Sequence, residues 1–166
     1  NGCKAGSYAE SGQASCTLCA AGKHSNLTDA STSNICKRCR PGKYSAFPGS
    51  EDCRPCPPGS MCPLSGMSDY TGCLAGNYTD LPGQTECKPC PSGRYQTEKG
   101  FARCSSCPKG TFNRNVGAND RLACMACPAG SYASQNGSAT CQECGKDTYT
   151  DETGQHVCKV CDIGKT

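Results

Sequence analysis

The sequence predicts a small disulfide-rich fold with little regular secondary structure, in which short β-hairpins follow one another in an elongated tandem-repeat rod. Three observations carry that expectation. The 166 residues include 19 Cys, 20 Gly and 11 Pro. Leu, Ile, Val and Phe together number only 14, far under the roughly 20% that a packed domain carries. One phrase, Cys-x-x-Gly-x-aromatic, recurs ten times along the chain. So little apolar side chain cannot offset the roughly 1–2 kcal/mol per residue of backbone entropy lost on ordering. Cysteine chemistry must supply the difference, which argues against an enzyme built around a roomy apolar pocket.

The repeats come first in chain order. The phrase reads Cys3-Lys-Ala-Gly-Ser-Tyr8, Cys39-Arg-Pro-Gly-Lys-Tyr44, Cys73-Leu-Ala-Gly-Asn-Tyr78 and Cys90-Pro-Ser-Gly-Arg-Tyr95. It returns as Cys107-Pro-Lys-Gly-Thr-Phe112 and Cys127-Pro-Ala-Gly-Ser-Tyr132. Looser copies open at Cys19, with His24 in the aromatic slot, and at Cys56, with Met61 there. The copy at Cys144 has Asp147 in place of Gly, and a tenth opens at Cys161. Openers lie 16 to 20 residues apart, and the two 20-residue units, at Cys19 and Cys107, hint at a higher repeat of 88 residues.

Most units close alike. A Gly stands four residues before the closing Cys, as Gly12 before Cys16 and Gly83 before Cys87. The closing Cys and the next opener then form Cys-x-x-Cys, as in Cys53-Arg-Pro-Cys56. Glycine at both positions suits left-handed turns. Each unit therefore reads as two very short extended arms and a turn, the aromatic lying over its own cross-link. No stretch has the periodicity of a helix.

Three chemistries fit Cys-x-x-Cys. In a disulfide framework each opener bonds its own closer: Cys3 with Cys16, Cys19 with Cys36, Cys39 with Cys53 and Cys73 with Cys87. Cys90 then bonds Cys104, Cys107 bonds Cys124, Cys127 bonds Cys141 and Cys144 bonds Cys158. Each loop of about 15 residues is worth roughly 3 kcal/mol. Zinc is the second option, because Cys16, Cys19, Cys36 and Cys39 have ribbon spacing. The third is thioredoxin-like redox chemistry, which needs a helix start that this chain lacks. The repeat favours disulfides, since a duplicable unit must satisfy its own cysteines.

One unit is irregular. After Cys56 the closing position holds Tyr70, and an extra Cys62 follows the aromatic slot. That exchange suggests Cys56–Cys62, whereas Cys62–Cys73 would strand Cys56. Cys161 opens a unit whose closer would lie past Thr166, so it is unpaired within these residues; a reactive or intermolecular thiol is the alternative. The pattern is cut in mid-repeat at both ends, which suggests a longer native chain.

The remaining side chains point to surfaces. Seventeen Lys and Arg against fourteen Asp and Glu give +3, with signs interspersed. Short clusters such as Lys37-Arg38-Cys39-Arg40 do not form a nucleic-acid stripe, and no apolar run reaches the ~20 residues of a membrane span. Asn26-Leu-Thr28, Asn77-Tyr-Thr79 and Asn136-Gly-Ser138 are N-glycosylation acceptors inside the inter-cysteine loops. His24 and His156, the only histidines, read as surface residues. The rings of Tyr8, Tyr44, Tyr78, Tyr95, Phe112, Tyr132 and Tyr149 read as packing on each unit's own disulfide and its neighbour, not as a ligand ladder. No catalytic set, metal site or cofactor is expected.

Cys-x-x-Gly-x-Tyr, about eight residues, then Cys-x-x-Cys resembles the ephrin-receptor-like cysteine-rich repeat from residue 3 to 161. It is similar to the first half-module of the tumour necrosis factor receptor cysteine-rich domain, without the arrangement that completes such a domain. The resemblance implies receptor ectodomains, secreted multidomain proteins or surface proteins, mastigoneme-type hairs among them. With oxidised cysteines and sequons it implies an extracellular or cell-surface location. The expected architecture is a stack of units each touching only its neighbours, on the order of 100 Å long if a unit advances about three extended residues. The expected function is structural, a glycosylated spacer, coat or filament component partnered by copies of itself or other extracellular structural proteins. The rival is a receptor or adhesion ectodomain that binds a protein ligand, with Met61 to Gly72 as the candidate stretch.

Overall fold

The computed structural model describes residues 2–161. Each hairpin grows from the same local chemistry. In the first, Ser7–Tyr8 runs antiparallel to Thr17–Leu18, with Ser7 opposite Leu18 and Tyr8 opposite Thr17. The outgoing arm follows the first-turn glycine and ends in the aromatic slot, and the return arm is the dipeptide inside Cys-x-x-Cys. The next opener closes the hairpin, as Cys19 N–H donates to the Gly6 carbonyl at 2.8 Å. Nine such two-stranded pairs occur among the described residues. Arms of two residues are not stable alone in water, so each hairpin depends on covalent closure and on its neighbours.

Closure comes from nine disulfides: Cys3–Cys16, Cys19–Cys36, Cys39–Cys53, Cys56–Cys62, Cys73–Cys87, Cys90–Cys104, Cys107–Cys124, Cys127–Cys141 and Cys144–Cys158. The four cysteines with zinc-ribbon spacing are divided among three of these bonds. In each 20-residue unit the extra length is one turn of 3-10 helix, Ser33–Ile35 capped by Thr32 and Arg121–Ala123 capped by Asp120. A 3-10 turn takes about three residues, so the insertion leaves the hairpin register intact. The turn positions are left-handed even where glycine is missing: Asp147 has φ 62° and Asp29 has φ 55°. Asp enters that region more readily than most residues because its short polar side chain bonds locally.

The chain divides into two compact units, Asn1–Cys73 with Thr79–Cys87, and Leu74–Tyr78 with Lys88–Thr166. Within each, successive repeats are joined by the same backbone triplet. Between the repeats opening at Cys39 and Cys56, Gly42 N–H donates to the Cys62 carbonyl at 2.8 Å, Ser45 N–H to Met67 at 3.1 Å, and Gly66 N–H back to Cys39 at 2.7 Å. In the second unit Gly93 donates to Asn113 at 2.7 Å, Gln96 to Ala118 at 3.0 Å, and Gly117 to Cys90 at 2.7 Å. Turn amides that a lone hairpin would leave to water are thereby satisfied by the next hairpin.

One expectation is corrected. Repeats do not touch only their neighbours: a Cβ on Gly6 would strike the carbonyl of Gly49, and one on Gly42 that of Gly83, each two repeats along the chain. The second residue of a Cys-x-x-Cys reaches equally far, with Leu18 lying over Gly49 and Arg38 over Gly66. One aromatic rests on the neighbouring repeat as expected: Phe112 is buried against Cys127, Ala133 and Cys141 of the following repeat. Both contacts have one cause. Two-residue arms are too short to cover a ring or a disulfide, so each is covered by the stacked repeat.

Candidate functional site

A buried and mostly polar set lies one residue past the aromatic slot in both units. Ser25, Ser45, Cys62, Thr79, Gln96, Asn113, Ala133 and Thr150 occupy this place, all buried. In an extended arm successive side chains face opposite ways, so the residue after the aromatic turns inward. Its polar groups are met: Asn113 Nδ2 donates to the carbonyls of Arg94 at 3.1 Å and Asn115 at 3.2 Å. Thr79 Oγ1 accepts from Gly59 N–H at 3.0 Å. Among the described residues no buried side-chain N or O lacks a partner. Sequence reading missed this set; small or amide residues recurring after each aromatic were the available signal. Cys62 stands in the same inward place, which is why it meets the buried opener Cys56.

The loop tips form a second periodic set. Leu27, Phe47, Leu64 and Leu81 each stand two residues before a left-handed turn residue, in four successive repeats. They are exposed at 52%, 74%, 68% and 57%. The matching places in the second unit are polar, Glu98, Asn115, Gln135 and Glu152. Exposed apolar side chains repeated at one loop position in four successive repeats make this series a candidate interaction surface.

The other candidates fall apart from one another. Met61 to Gly72 forms an ordinary hairpin, Ser60–Met61 against Thr71–Gly72. Asn26 and Asn136 are exposed, while Asn77 is half-buried. The Asn136 Oδ1 accepts from Lys109 N–H at 3.0 Å, and the Asn77 Nδ2 donates to the Ala75 carbonyl at 3.3 Å. His156 is exposed, and His24 is half-buried with Nδ1 3.4 Å from the Glu51 carbonyl. Cys161 is free and partly exposed. Tyr149 lies at the surface beside Lys159, whose Nζ is 6.0 Å from the ring centroid. Among the described residues no three His, Cys, Asp or Glu come together to hold a metal, and no helix is long and apolar enough to cross a membrane.

In the first unit a groove of about 700 Å³ is lined by Lys37, Arg38, Arg40 and Lys43 together with His24, Asn26, Glu51 and Asp52. Charge elsewhere is sparse in partners: Lys159 Nζ meets Asp151 Oδ1 at 2.8 Å, both well exposed. That hydrogen bond lowers the Asp151 carboxyl below, and raises the Lys159 ammonium above, its ordinary range. Nothing in either feature positions a nucleophile or an acid–base pair.

No individual curated protein matches the chain. A family described as tyrosine-protein kinase ephrin type A/B receptor-like does, in three overlapping stretches, 76–124, 95–138 and 119–161. Those stretches hold the same hairpins, disulfides and turn glycines that build the first unit. Nine disulfides and such repeats are features of an extracellular domain, and the chain belongs to the ephrin-receptor-like cysteine-rich repeat family.

Proposed function

We propose that the chain is a structural element of an extracellular surface, a disulfide-stapled spacer, coat or filament component of the surface-hair kind, carrying glycans at Asn26, Asn77 and Asn136. The observation that carries this reading is the backbone triplet repeated between successive hairpins. Main-chain bonds that do not depend on side-chain identity let a stack extend by duplication while its surface varies. The partners are copies of the chain or other extracellular structural proteins. The exposed side chains of Leu27, Phe47, Leu64 and Leu81 support lateral contact between copies, because an apolar surface that meets its own copy is buried on both sides.

Glycan placement follows the same logic. Asn26 is the sequon whose asparagine is exposed and whose Thr28 is exposed too. Thr79 of the second sequon is buried with its hydroxyl engaged, so modification of Asn77 must precede folding.

Immunogold labelling of the intact surface tests the reading. Labels are expected in ordered fibres or a continuous coat. Scattered labels, with one-to-one binding of a soluble protein partner, would instead favour the receptor or adhesion reading.

A further inference from the structure

We propose that the groove in the first unit is a binding site for a sulfated polysaccharide. Lys37 and Arg38, on the return arm of one hairpin, supply two of its cations. Lys23 lies directly opposite Arg38, and His24 directly opposite Lys37. Like charges facing across a strand pair repel and weaken it. Arg40 and Lys43 of the next turn add to the same side. None of these cations makes an ion pair among the described residues, where the pair found is Lys159 with Asp151.

The fold does not require this arrangement. The other 20-residue unit has the same 3-10 turn, and its matching hairpin sets Thr111 opposite Ala126 and Phe112 opposite Met125. A neutral hairpin therefore serves the architecture equally, and the cations Lys37, Arg38, Arg40 and Lys43, without ion pairs among the described residues, are free to meet an external anion. Three features choose among anions. The groove is long for a single phosphate, at about 700 Å³. Apart from Cys53 no apolar side chain lines it, which disfavours a protein segment anchored by hydrophobic residues. Asn26, Glu51 and Asp52 stand beside the cations, and such groups bond hydroxyls. Sulfates on a hydroxyl-rich chain satisfy both kinds of wall, and sulfate suits arginine in fork geometry.

The test uses the whole chain, produced oxidised in a bacterial periplasm so that no glycan occupies Asn26. Binding to heparin, to hyaluronate and to poly-glutamate is measured by calorimetry across a salt series. Heparin is expected to bind at least about tenfold more tightly than either other polymer. The triple variant Lys37→Gln, Arg38→Gln, Arg40→Gln should weaken heparin about tenfold or more and reduce the slope of log K against log salt by about two. Arg38→Lys should bind between the parent and the triple variant, because the ammonium keeps the charge and loses the fork. A control variant, Lys88→Gln, Lys99→Gln, Lys146→Gln, removes as many charges from the second unit and should bind as the parent does. Non-reducing peptide maps establish that each variant holds its nine disulfides. Equal loss in the control, equal binding of poly-glutamate, or no heparin binding by the parent overturns the proposal.

Discussion

The ring of Tyr70 stands edge-on to that of Tyr44, with centroids 5.2 Å apart and planes at 77°. Tyr70 occupies the place where other repeats carry the closing cysteine, and Tyr44 is the aromatic of the repeat before. The relationship reproduces that of Phe112 with Cys141, the closing residue of the following repeat. An aromatic edge contact has thus replaced a disulfide as the surface on which the preceding ring rests, and Cys62 has taken over the bond to Cys56.

Two variants test that exchange. Tyr70→Ala should loosen the hairpin of Thr71–Gly72 by about 1 kcal/mol beyond the lost area, read as faster amide exchange of Cys73 and Met61. The double variant Cys62→Ser, Tyr70→Cys should fold with a bond from Cys56 to the cysteine introduced at position 70, found by non-reducing peptide mapping. Its separation would equal the 14 residues of Cys39–Cys53, and serine already fills the inward place at Ser25 and Ser45. Free thiols at Cys56 and at the introduced cysteine in the folded variant would show that the repeat frame has been misread here.

Glycine substitutions separate turn strain from stacking. Gly12 and Gly42 both have positive φ, 88° and 83°. A Cβ on Gly12 meets nothing within 4 Å, whereas one on Gly42 strikes the Gly83 carbonyl. Gly12→Ala should destabilise by about 1–2 kcal/mol, the left-handed penalty alone. Gly42→Ala should exceed it by about 1–3 kcal/mol, with faster amide exchange at Gly83, two repeats away. Equal effects in the two would mean that the second-neighbour contact carries no energy.

The exposed pair at the second unit's last hairpin sets a pH window. Asp151 has its pKa lowered from 3.8 by the Lys159 hydrogen bond, so its contribution is present above the unfolded value and lost as pH falls through the folded one. Lys159 is raised from 10.5, so its contribution is complete below that value and lost as pH rises through the folded one. The pairing of Tyr149 with Lys159 should hold between those limits and loosen outside them. Carboxyl carbon shifts followed by NMR should place Asp151 below 3.8 in the parent and move it upward in Lys159→Met. An unmoved titration in that variant would remove the ion pair from the account.

The exposed apolar series makes a prediction about association rather than folding. Phe47→Ser with Leu64→Ser should change stability by no more than about 0.5 kcal/mol per site, as exposed positions do. The same variant should shift concentration-dependent sedimentation toward the monomer. A variant that sediments as the parent does would leave the series without a role in lateral contact.

Much of this architecture is read directly from the cysteines. Their spacing, together with glycine before most closers, defines a loop whose ends one disulfide can join, and that relation is local in the chain. The extra three residues before Cys36 and Cys124 are legible as length but not as a 3-10 turn, which depends on Thr32 and Asp120 accepting amide hydrogens. The site was less legible than the fold. Lys37, Arg38 and Arg40 show in the sequence as a short basic cluster, but only the strand register sets Lys23 opposite Arg38.

By itself the sequence determined the unit, its staples and the poverty of apolar core, since these follow from composition and from covalent reach within a single repeat. Tertiary structure decided what each unit rests on. Gly6 against Gly49, Phe112 under Cys141 and Leu18 over Gly49 join residues far apart in the chain. The reason is physical: arms of two residues bury nothing alone, so every contact that completes a repeat comes from repeats stacked on it, at distances no local pattern encodes.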